Sequence, residues 1–180
     1  MLFGIASESL MGVSGSMFHY VSHGMAKGIL FMVAGAIIRQ TEELRDINKM
    51  GGLSSKMPLT TIAALIGFLG IIGVPPTSGF QSEWMLFSGA FQEAISSNSI
   101  LKLFLSFGGI IATFLTACYA LWAIRRIFFG HRPEYLDYVE EAPLTMTVPM
   151  LVFSAITIVL GIFPSIITDF LLPTISSIIG

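Results

Sequence analysis

The chain contains 180 residues, of which 54% are hydrophobic and 11% are charged, and its formal net charge is −2. Soluble globular domains carry about 25% charged residues, so this composition excludes an ordinary soluble domain and indicates an integral membrane protein. The small net charge argues against nucleic acid as a partner. The single cysteine, Cys118, excludes an internal disulfide and a cysteine-rich metal site.

Five apolar blocks predict five transmembrane helices, because about 20 apolar residues at a rise of about 1.5 Å each cross a bilayer. The predicted spans are 11–38, 57–75, 80–97, 100–128 and 144–172. Only helices and closed barrels satisfy the backbone in lipid. The blocks therefore predict an all-α polytopic membrane protein, with residues 1–180 in a single transmembrane bundle.

The first predicted span carries three titratable side chains at intervals of four residues, His19, His23 and Lys27. Each step of four turns the helix by about 400° and rises about 6 Å, so the three side chains lie on one helix face. Lys27 precedes Arg39, at the end of the span, by about 18 Å, which is too far for its side chain to reach the membrane surface. A lysine at the centre of a membrane helix costs about 2.5–3.5 kcal/mol, so a cavity, a carboxylate or loss of the proton must offset that cost.

Four interpretations of this titratable stripe compete. Two histidines on one face of one helix cannot reach opposite sides of a haem iron, and the remaining histidine, His131, lies in a loop. A zinc site lacks a nearby carboxylate, and Lys27 would repel the metal. Structural hydrogen bonding within the bundle stays open beside a proton relay, in which water joins imidazoles and an amine that exchange protons. The sequence favours the relay, because ionisable residues inside membranes are functional by default.

The third predicted span is short and directly follows the Pro-Pro-Thr-Ser-Gly stretch at 75–79. Such interruptions are typical of discontinuous membrane helices, whose exposed backbone lines a polar cavity. We predict that residues 74–82 are non-helical and lie beside polar space. Glu83 would then add a carboxylate to the relay, the alternative being an interfacial glutamate next to Trp84. Glu93 lies nearer the end of the span and is expected to be solvated.

Two loops, 39–57 and 125–132, carry most of the basic residues. The positive-inside rule places both loops on the cytoplasmic side. Five full crossings would put three helices between them and hence place them on opposite sides. Either the third span does not cross fully or one loop breaks the rule, and the sequence leaves this choice open.

Three stretches together resemble the antiporter-like subunits of respiratory complex I: MFHYVSHGMAKGILFMVAGAII at 17–38, LRDINKMGGLSSKMPLT at 44–60 and GVPPTSGFQSEWMLFSGAF at 73–91. The same family includes subunits of membrane-bound hydrogenases, deazaflavin-dependent dehydrogenases and multisubunit sodium/proton antiporters. The resemblance implies a fold of about fourteen helices built from two inverted repeats, each with a broken helix. This chain corresponds to its last five helices. The resemblance also implies a prokaryotic cell membrane or another energy-transducing membrane as the location.

Roles for individual residues follow from the same resemblance. The helix with His19, His23 and Lys27 corresponds to the tenth of the family, and the broken helix to the twelfth. There a Gly-Phe-x-x-(Lys or Glu) context holds the terminal proton-exchange residue, which is Glu83 in this chain. Glutamate at this position is similar to the middle antiporter-like subunit of complex I and to the hydrogenase-type relatives. The family's first half-channel lies on earlier helices, so we expect a split gene product, a fragment or a partial subunit that another chain completes.

We therefore expect a membrane subunit of a complex I-like ion-translocating oxidoreductase, which contributes a proton or sodium half-channel. Electron transfer is expected in other subunits, because this chain has neither a cysteine cluster nor a dinucleotide-binding loop. No cofactor and no metal are expected in this chain. The expected partners are other membrane subunits, including one that supplies the missing N-terminal helices, and the lipid bilayer. A non-transporting scaffold or assembly subunit, or a stand-alone carrier, is the alternative.

Overall fold

A computed structural model describes residues 1–179, and within this range the chain forms seven α-helices and no β-strand. The helices are α1 (Leu2–Ile5), α2 (Leu10–Gln40), α3 (Pro58–Ile72), α4 (Ser78–Ser96), α5 (Ile100–Phe128), α6 (Leu144–Ile162) and α7 (Ser165–Ile179). Helices α2, α5 and α6 are each long and apolar enough to cross a membrane. The all-α membrane fold expected from the sequence is confirmed, and the chain is an integral membrane protein.

Helix α2 is the central helix of the bundle and contacts α1, α3, α4, α6 and α7. It begins after Ser9, whose hydroxyl accepts a hydrogen bond from the Gly12 amide at 3.0 Å and so caps the helix. Its contact face repeats every three or four residues and consists of Gly12, Gly15, His19, Ser22, Ala26 and Ile29. Small residues on this face permit close packing, since a methyl group on Gly15 would lie 2.9 Å from Leu86 Cα.

Helices α3 and α4 both run antiparallel to α2, one after the other along its length. Residues Gly12, Gly15 and His19 of α2 lie against Gly89, Leu86 and Ser82 of α4, and Ala26 and Ile29 lie against Gly70 and Gly67 of α3. At about 1.5 Å per residue, α3 and α4 are about 22 and 28 Å long, and α2 is about 46 Å long. The two helices therefore form one discontinuous crossing beside the continuous helix α2.

The break in this crossing contains residues 73–77. Helix α3 ends at Ile72, and Gly73 after it adopts a left-handed conformation with a φ of 72° that glycine tolerates best. Pro75 and Pro76 then prevent the helix from continuing, because proline lacks an amide hydrogen. The chain is thus interrupted next to the Pro-Pro pair, opposite the middle of α2.

Helix α4 begins at Ser78, so the prediction of non-helical residues is right for 74–77 and wrong for 78–82. The prediction treated Gly79 as part of the turn. In the structure Gly79 is helical, and packing requires it, because a methyl group there would collide with the carbonyl oxygen of Gly70. Glycine at this position lets the ends of α3 and α4 overlap.

The remaining helices enclose the discontinuous crossing from two sides. Helix α5 packs against α3 and α4, and α6 packs against α2, α3 and α4. The block predicted as one span, 144–172, forms two helices, because α6 ends at Ile162 and α7 begins after Pro164. Both α6 and α7 contact α2. The break packs against α6 at Gly161, and Thr77 is buried there, whereas Pro75 and Pro76 are exposed.

The loops that follow α2 and α5 contact each other at one end of the bundle. Arg126, in the last turn of α5, donates to the Asn48 carbonyl oxygen at 2.9 Å, and Lys56 donates to the Asp137 carbonyl oxygen at 2.6 Å. Only the discontinuous crossing and α5 separate these loops along the chain, and two crossings return the chain to the same side. The structure thus puts α3 and α4 in one crossing and both basic loops at the same end of the bundle, which removes the conflict with the positive-inside rule.

Candidate functional site

His19 joins the titratable stripe of α2 to the discontinuous crossing. Its Nδ1 lies 3.0 Å from the Ser82 hydroxyl oxygen, and that hydroxyl also lies 2.8 Å from the Gly79 carbonyl oxygen. A hydroxyl has only one proton to donate. When Ser82 donates that proton to the Gly79 carbonyl oxygen, the Ser82 oxygen accepts a hydrogen bond from the imidazole of His19. This hydrogen-bond network assigns the proton of neutral His19 to Nδ1 and leaves Nε2 free to accept another.

The stripe becomes more exposed along α2. The rings of His19 and His23 have centroids 5.5 Å apart and planes inclined by 36°, and both side chains are half-buried. Lys27 is exposed and has neither a hydrogen bond nor an ion pair within residues 1–179. The three side chains share one helix face, as the spacing predicts, but that face does not point wholly into the bundle. The physical reason is that each four-residue step rotates the side chain by about 40° away from the contact face.

Glu83 lies at the break, on a different face of α4 from Ser82. Its carboxyl group packs against Gly73, where a methyl group would lie 2.8 Å from Glu83 Cδ. The side chain also lines an open cavity of about 450 Å³ between α4 and α5. The cavity wall is mainly aromatic and aliphatic, with Ser88 and Thr113 as its other polar side chains. The polar space expected beside Glu83 is therefore largely apolar in this part of the chain.

The structure brings His19 and Glu83 near each other without a direct hydrogen bond between them in the described part of the chain. His19 contacts Ser82, the neighbour of Glu83 in the sequence. Successive helix residues point about 100° apart, so Ser82 faces α2, whereas Glu83 faces the end of α3 and α5. Three predicted site residues thus lie on α2, and the fourth lies across α4 from them.

Sequence reasoning missed the serines that accompany His19 at the break. Ser22, Ser78 and Ser82 are at most 1% exposed, and the hydroxyls of Ser22 and Ser78 have no hydrogen-bond partner within residues 1–179. Their spacing held a signal, because Ser22 follows His19 by three residues and Ser78 precedes Ser82 by four, so each pair shares a helix face. These hydroxyls make the α2 side of the break its polar side.

Glu93, by contrast, belongs to the end of α4 and not to the break. Its carboxylate accepts from Lys102 Nζ at 2.9 Å, and both side chains are partly exposed. The pair links the end of α4 to the start of α5 across the turn between them. Exposed ion pairs of this kind contribute at most about 1 kcal/mol to stability.

Comparisons with known proteins identify similar chains. The family described as "NADH:quinone oxidoreductase/Mrp antiporter, TM" matches residues 1–116. The chain is 32% identical over 179 residues to F(420)H(2) dehydrogenase subunit M of Methanosarcina mazei, covering 99% of this chain and 34% of that protein. It is 34% identical over 169 residues to Na(+)/H(+) antiporter subunit A1 of Staphylococcus aureus, covering 91% of this chain and 21% of that protein.

A solved structure has the same fold. One chain of respiratory complex I from Thermus thermophilus with bound NADH superposes with a TM-score of 0.81 at 25% identity, covering 99% of this chain and 36% of that chain. The 180 residues thus span about a third or less of the length of the relatives that they match.

Proposed function

Since the chain belongs to the NADH:quinone oxidoreductase/Mrp antiporter family of membrane subunits, we propose that it contributes a proton half-channel to a multisubunit ion-translocating complex. The observation that carries this proposal is the 3.0 Å contact between His19 Nδ1 and the Ser82 hydroxyl. It joins a stripe of titratable side chains to the break in a membrane crossing. Irregular backbone at membrane depth occurs where it lines a cavity or is enclosed by protein.

The stripe has the chemistry that proton transfer requires. Imidazole titrates near neutral pH and can donate at one nitrogen while accepting at the other. With Nδ1 of His19 bonded to Ser82, Nε2 is free to receive a proton from the direction of His23 through a bridging water. Lys27 continues the stripe by one helical turn, about 6 Å further along α2. Glu83 is the proposed proton-exchange group on the far side of α4.

Lys27 needs a neighbour that this stretch of chain does not supply. It lies between Gly24 and Gly28, and a methyl group on either glycine would meet no atom within 4 Å. Glycines at this spacing permit a membrane helix to approach closely. Because the relatives are about three times longer than this stretch, we propose that another helix of the complete assembly covers this face and brings a polar partner to Lys27.

The coupling of this half-channel is also part of the proposal. One relative is named a dehydrogenase subunit and another a sodium/proton antiporter subunit, so the driving reaction is either electron transfer or exchange of ions. We propose that any electron transfer takes place in other subunits and that this chain carries no cofactor. Its partners are then the membrane subunits that complete the proton path. The ion that it transports is the proton or, in an ion-exchange reaction, sodium.

Loss of the titratable groups tests the half-channel. We expect Lys27→Ala and Glu83→Gln to reduce proton uptake about a hundredfold, which is the lower end of what a positioned acid or base contributes. Uptake is measured in membrane vesicles that contain the whole complex, with assembly checked by gel filtration. The matched controls are Lys102→Ala and Glu93→Gln, which remove the same charges from the ion pair at the end of α4.

A non-transporting scaffold is the second candidate. The largely apolar wall beside Glu83 and the exposure of Lys27 favour it, because neither group is seen in a continuous polar path within residues 1–179. Normal proton uptake by the assembled Lys27→Ala and Glu83→Gln complexes would support the scaffold and contradict the half-channel.

A further inference from the structure

A second cavity, of about 380 Å³, lies at the loop end of the bundle, between the end of α5 and the loop that follows α2. Arg125, Arg126 and His131 supply the polar side chains of its wall. Within residues 1–179 no carboxylate lines this cavity, so nothing in the wall balances the two guanidinium charges. The cavity therefore has the charge that suits an anionic ligand.

The two arginines keep most of their hydrogen-bond donors available. Arg126 donates one bond to the Asn48 carbonyl oxygen at 2.9 Å, and Arg125 has neither a hydrogen bond nor an ion pair in the described part of the chain. A guanidinium group has five N–H donors. The nearby Arg132 differs, because it already pairs with the Asp137 carboxylate at 2.7 Å. The available donors thus belong to the two arginines that line the cavity.

The walls of the cavity are held together by contacts between the two basic loops. The Tyr135 hydroxyl donates to the Lys49 carbonyl oxygen at 2.5 Å. Gly51 packs so closely against the His131 backbone that a methyl group on Gly51 would collide with the His131 carbonyl oxygen. The hydrogen bond of Arg126 adds a third link between the loops. A site that is formed before its ligand arrives loses less conformational freedom on binding.

The cavity lies where a membrane helix reaches the bilayer surface. Trp122, Arg125, Arg126 and Phe129 are spaced three or four residues apart at the end of α5 and share one face. Trp122 is 55% exposed, and one face further along α5 towards the middle of the helix carries the exposed Leu115. Tryptophan and arginine at the end of a spanning helix typically meet lipid headgroups. A free anion would use only the arginines, whereas a lipid would use the apolar face as well.

We propose that this cavity binds an anionic phospholipid, with its phosphate at Arg125 and Arg126 and its acyl chains along the exposed face of α5. Arginine suits this ligand because its planar donors match two phosphate oxygens at once. Basic pockets at the cytoplasmic ends of membrane helices bind anionic headgroups in this way. The site is separate from the titratable stripe of α2, and its binding of lipid does not depend on the half-channel.

Quenching of Trp122 fluorescence by brominated lipids tests the choice of lipid. With Trp84→Phe, Trp122 is the only tryptophan of the full chain. In nanodiscs of phosphatidylcholine and phosphatidylglycerol, with either lipid brominated, we expect phosphatidylglycerol to be preferred at Trp122 about thirtyfold. The reason is that each arginine near a membrane surface favours an anionic lipid about fivefold. Trp84, studied alone with Trp122→Phe, is similarly exposed at 61% and should show no preference. Equal quenching of Trp122 by the two lipids would overturn the proposal.

Arginine variants separate a site from general surface charge. We expect Arg125→Gln to lower the preference about fivefold and the Arg125→Gln, Arg126→Gln double variant to abolish it. The matched control is the Arg39→Gln, Arg45→Gln double variant, which removes two charges from the same end of the bundle but outside this cavity. An equal loss of preference in the control would overturn the site. Arg125→Gln carries the test by itself if the double variant does not fold.

Two further measurements distinguish the lipid from other anions. Inorganic phosphate at millimolar concentration should leave the quenching by brominated phosphatidylglycerol unchanged, and its displacement of the lipid would show instead a site for a soluble anion. In membranes with the whole complex, phosphatidylglycerol that carries a photoreactive group near its headgroup should crosslink to residues 122–131. The absence of crosslinks in this range would show that another subunit covers the cavity, and it would overturn the proposal.

Discussion

The hydrogen bond between His19 of α2 and Ser82 of α4 links the two helices. Its direction decides which imidazole nitrogen of His19 carries the proton. Ser82 is 0% exposed and its hydroxyl lies close to both the Gly79 carbonyl oxygen and His19 Nδ1. An imidazole with no such partner samples both tautomers, whereas this contact selects the one with the proton on Nδ1. The proposed role of His19 as a proton acceptor at Nε2 therefore depends on a serine 63 residues away in the chain.

Replacing Ser82 by alanine should change the tautomer of His19. We expect the ¹⁵N spectrum of the histidine-labelled full chain to show His19 protonated at Nδ1, and the Ser82→Ala variant to show a mixture of tautomers. His131, in the loop after α5, provides the control signal, which should stay the same in both samples. A His19 signal that the substitution leaves unchanged would contradict the assignment of the proton.

The start of α3 depends on a carboxylate from a distant loop. Glu141 accepts from the Leu59 amide at 2.6 Å and from the Thr60 hydroxyl at 2.6 Å, whereas Met57, at the cap position, offers no side-chain acceptor. A negative charge at a helix start satisfies free amides and interacts favourably with the helix dipole. The loop after α5 thereby stabilises the first half of the discontinuous crossing.

Removing this carboxylate should destabilise the protein. We expect Glu141→Ala to lower the free energy of unfolding by about 1 kcal/mol, which is typical for loss of a helix cap. Unfolding is measured by titration in mixed detergent micelles. Glu140→Ala is the matched control, because only the backbone carbonyl of Glu140 is used, by Gln40. Equal stability of the two variants would contradict a capping role for Glu141.

The overlap of α3 and α4 requires glycine at one position of α4. A methyl group on Gly79 would lie 3.0 Å from the Gly70 carbonyl carbon and even closer to its oxygen, so backbone would have to move. We expect Gly79→Ala to lower the free energy of unfolding by about 1–3 kcal/mol, as overpacking does. In the same micelle titration Gly108→Ala should be neutral or stabilising by up to about 1 kcal/mol, because nothing lies within 4 Å of it.

Sequence patterns predicted the interruption but not the groups that surround it. Gly73, Pro75 and Pro76 act through local backbone geometry, which a sequence shows directly. Ser22 and Ser78 could not be identified, because a serine in a membrane helix usually bonds to its own backbone, as Ser106 does to the Lys102 carbonyl oxygen. Whether a hydroxyl is left unpartnered depends on which helices meet there.

The direction of each helix was likewise beyond the sequence. Five apolar blocks predicted five spans, and their lengths gave no sign that α3 and α4 run the same way. The directions of α3 and α4 depend on contacts between residues that are distant in the sequence, such as His19 with Ser82 and Ala26 with Gly70. The exposure of Lys27 has the same origin, since the side of α2 that is covered depends on where its neighbours pack. Charge in the loops was the one sequence feature that conflicted with five separate crossings.

Labelling of single cysteines tests the topology of the bundle. In a Cys118→Ser background, Lys49→Cys and Glu134→Cys should react with a membrane-impermeant maleimide from one side of the membrane, and Ser97→Cys from the other. The two crossings between the basic loops require this result, and the native cysteine must be removed because it is exposed. Reaction of Lys49→Cys and Glu134→Cys from opposite sides would show that α3 and α4 cross the membrane separately.

The end of α3 and the start of α4 meet inside the bundle. This arrangement also affects how fast the backbone amide hydrogens there exchange with deuterium. Amides in the first turn of α4, at 78–80, have no carbonyl partner four residues earlier, although Ser78 and Gly79 are buried. Amides in the middle of a continuous membrane helix exchange only when the helix opens. Residues 78–80 should therefore exchange orders of magnitude faster than residues 112–116 of α5, even though the latter are more exposed to lipid. We thus expect the discontinuous crossing to give this membrane protein a rapidly exchanging point near its centre.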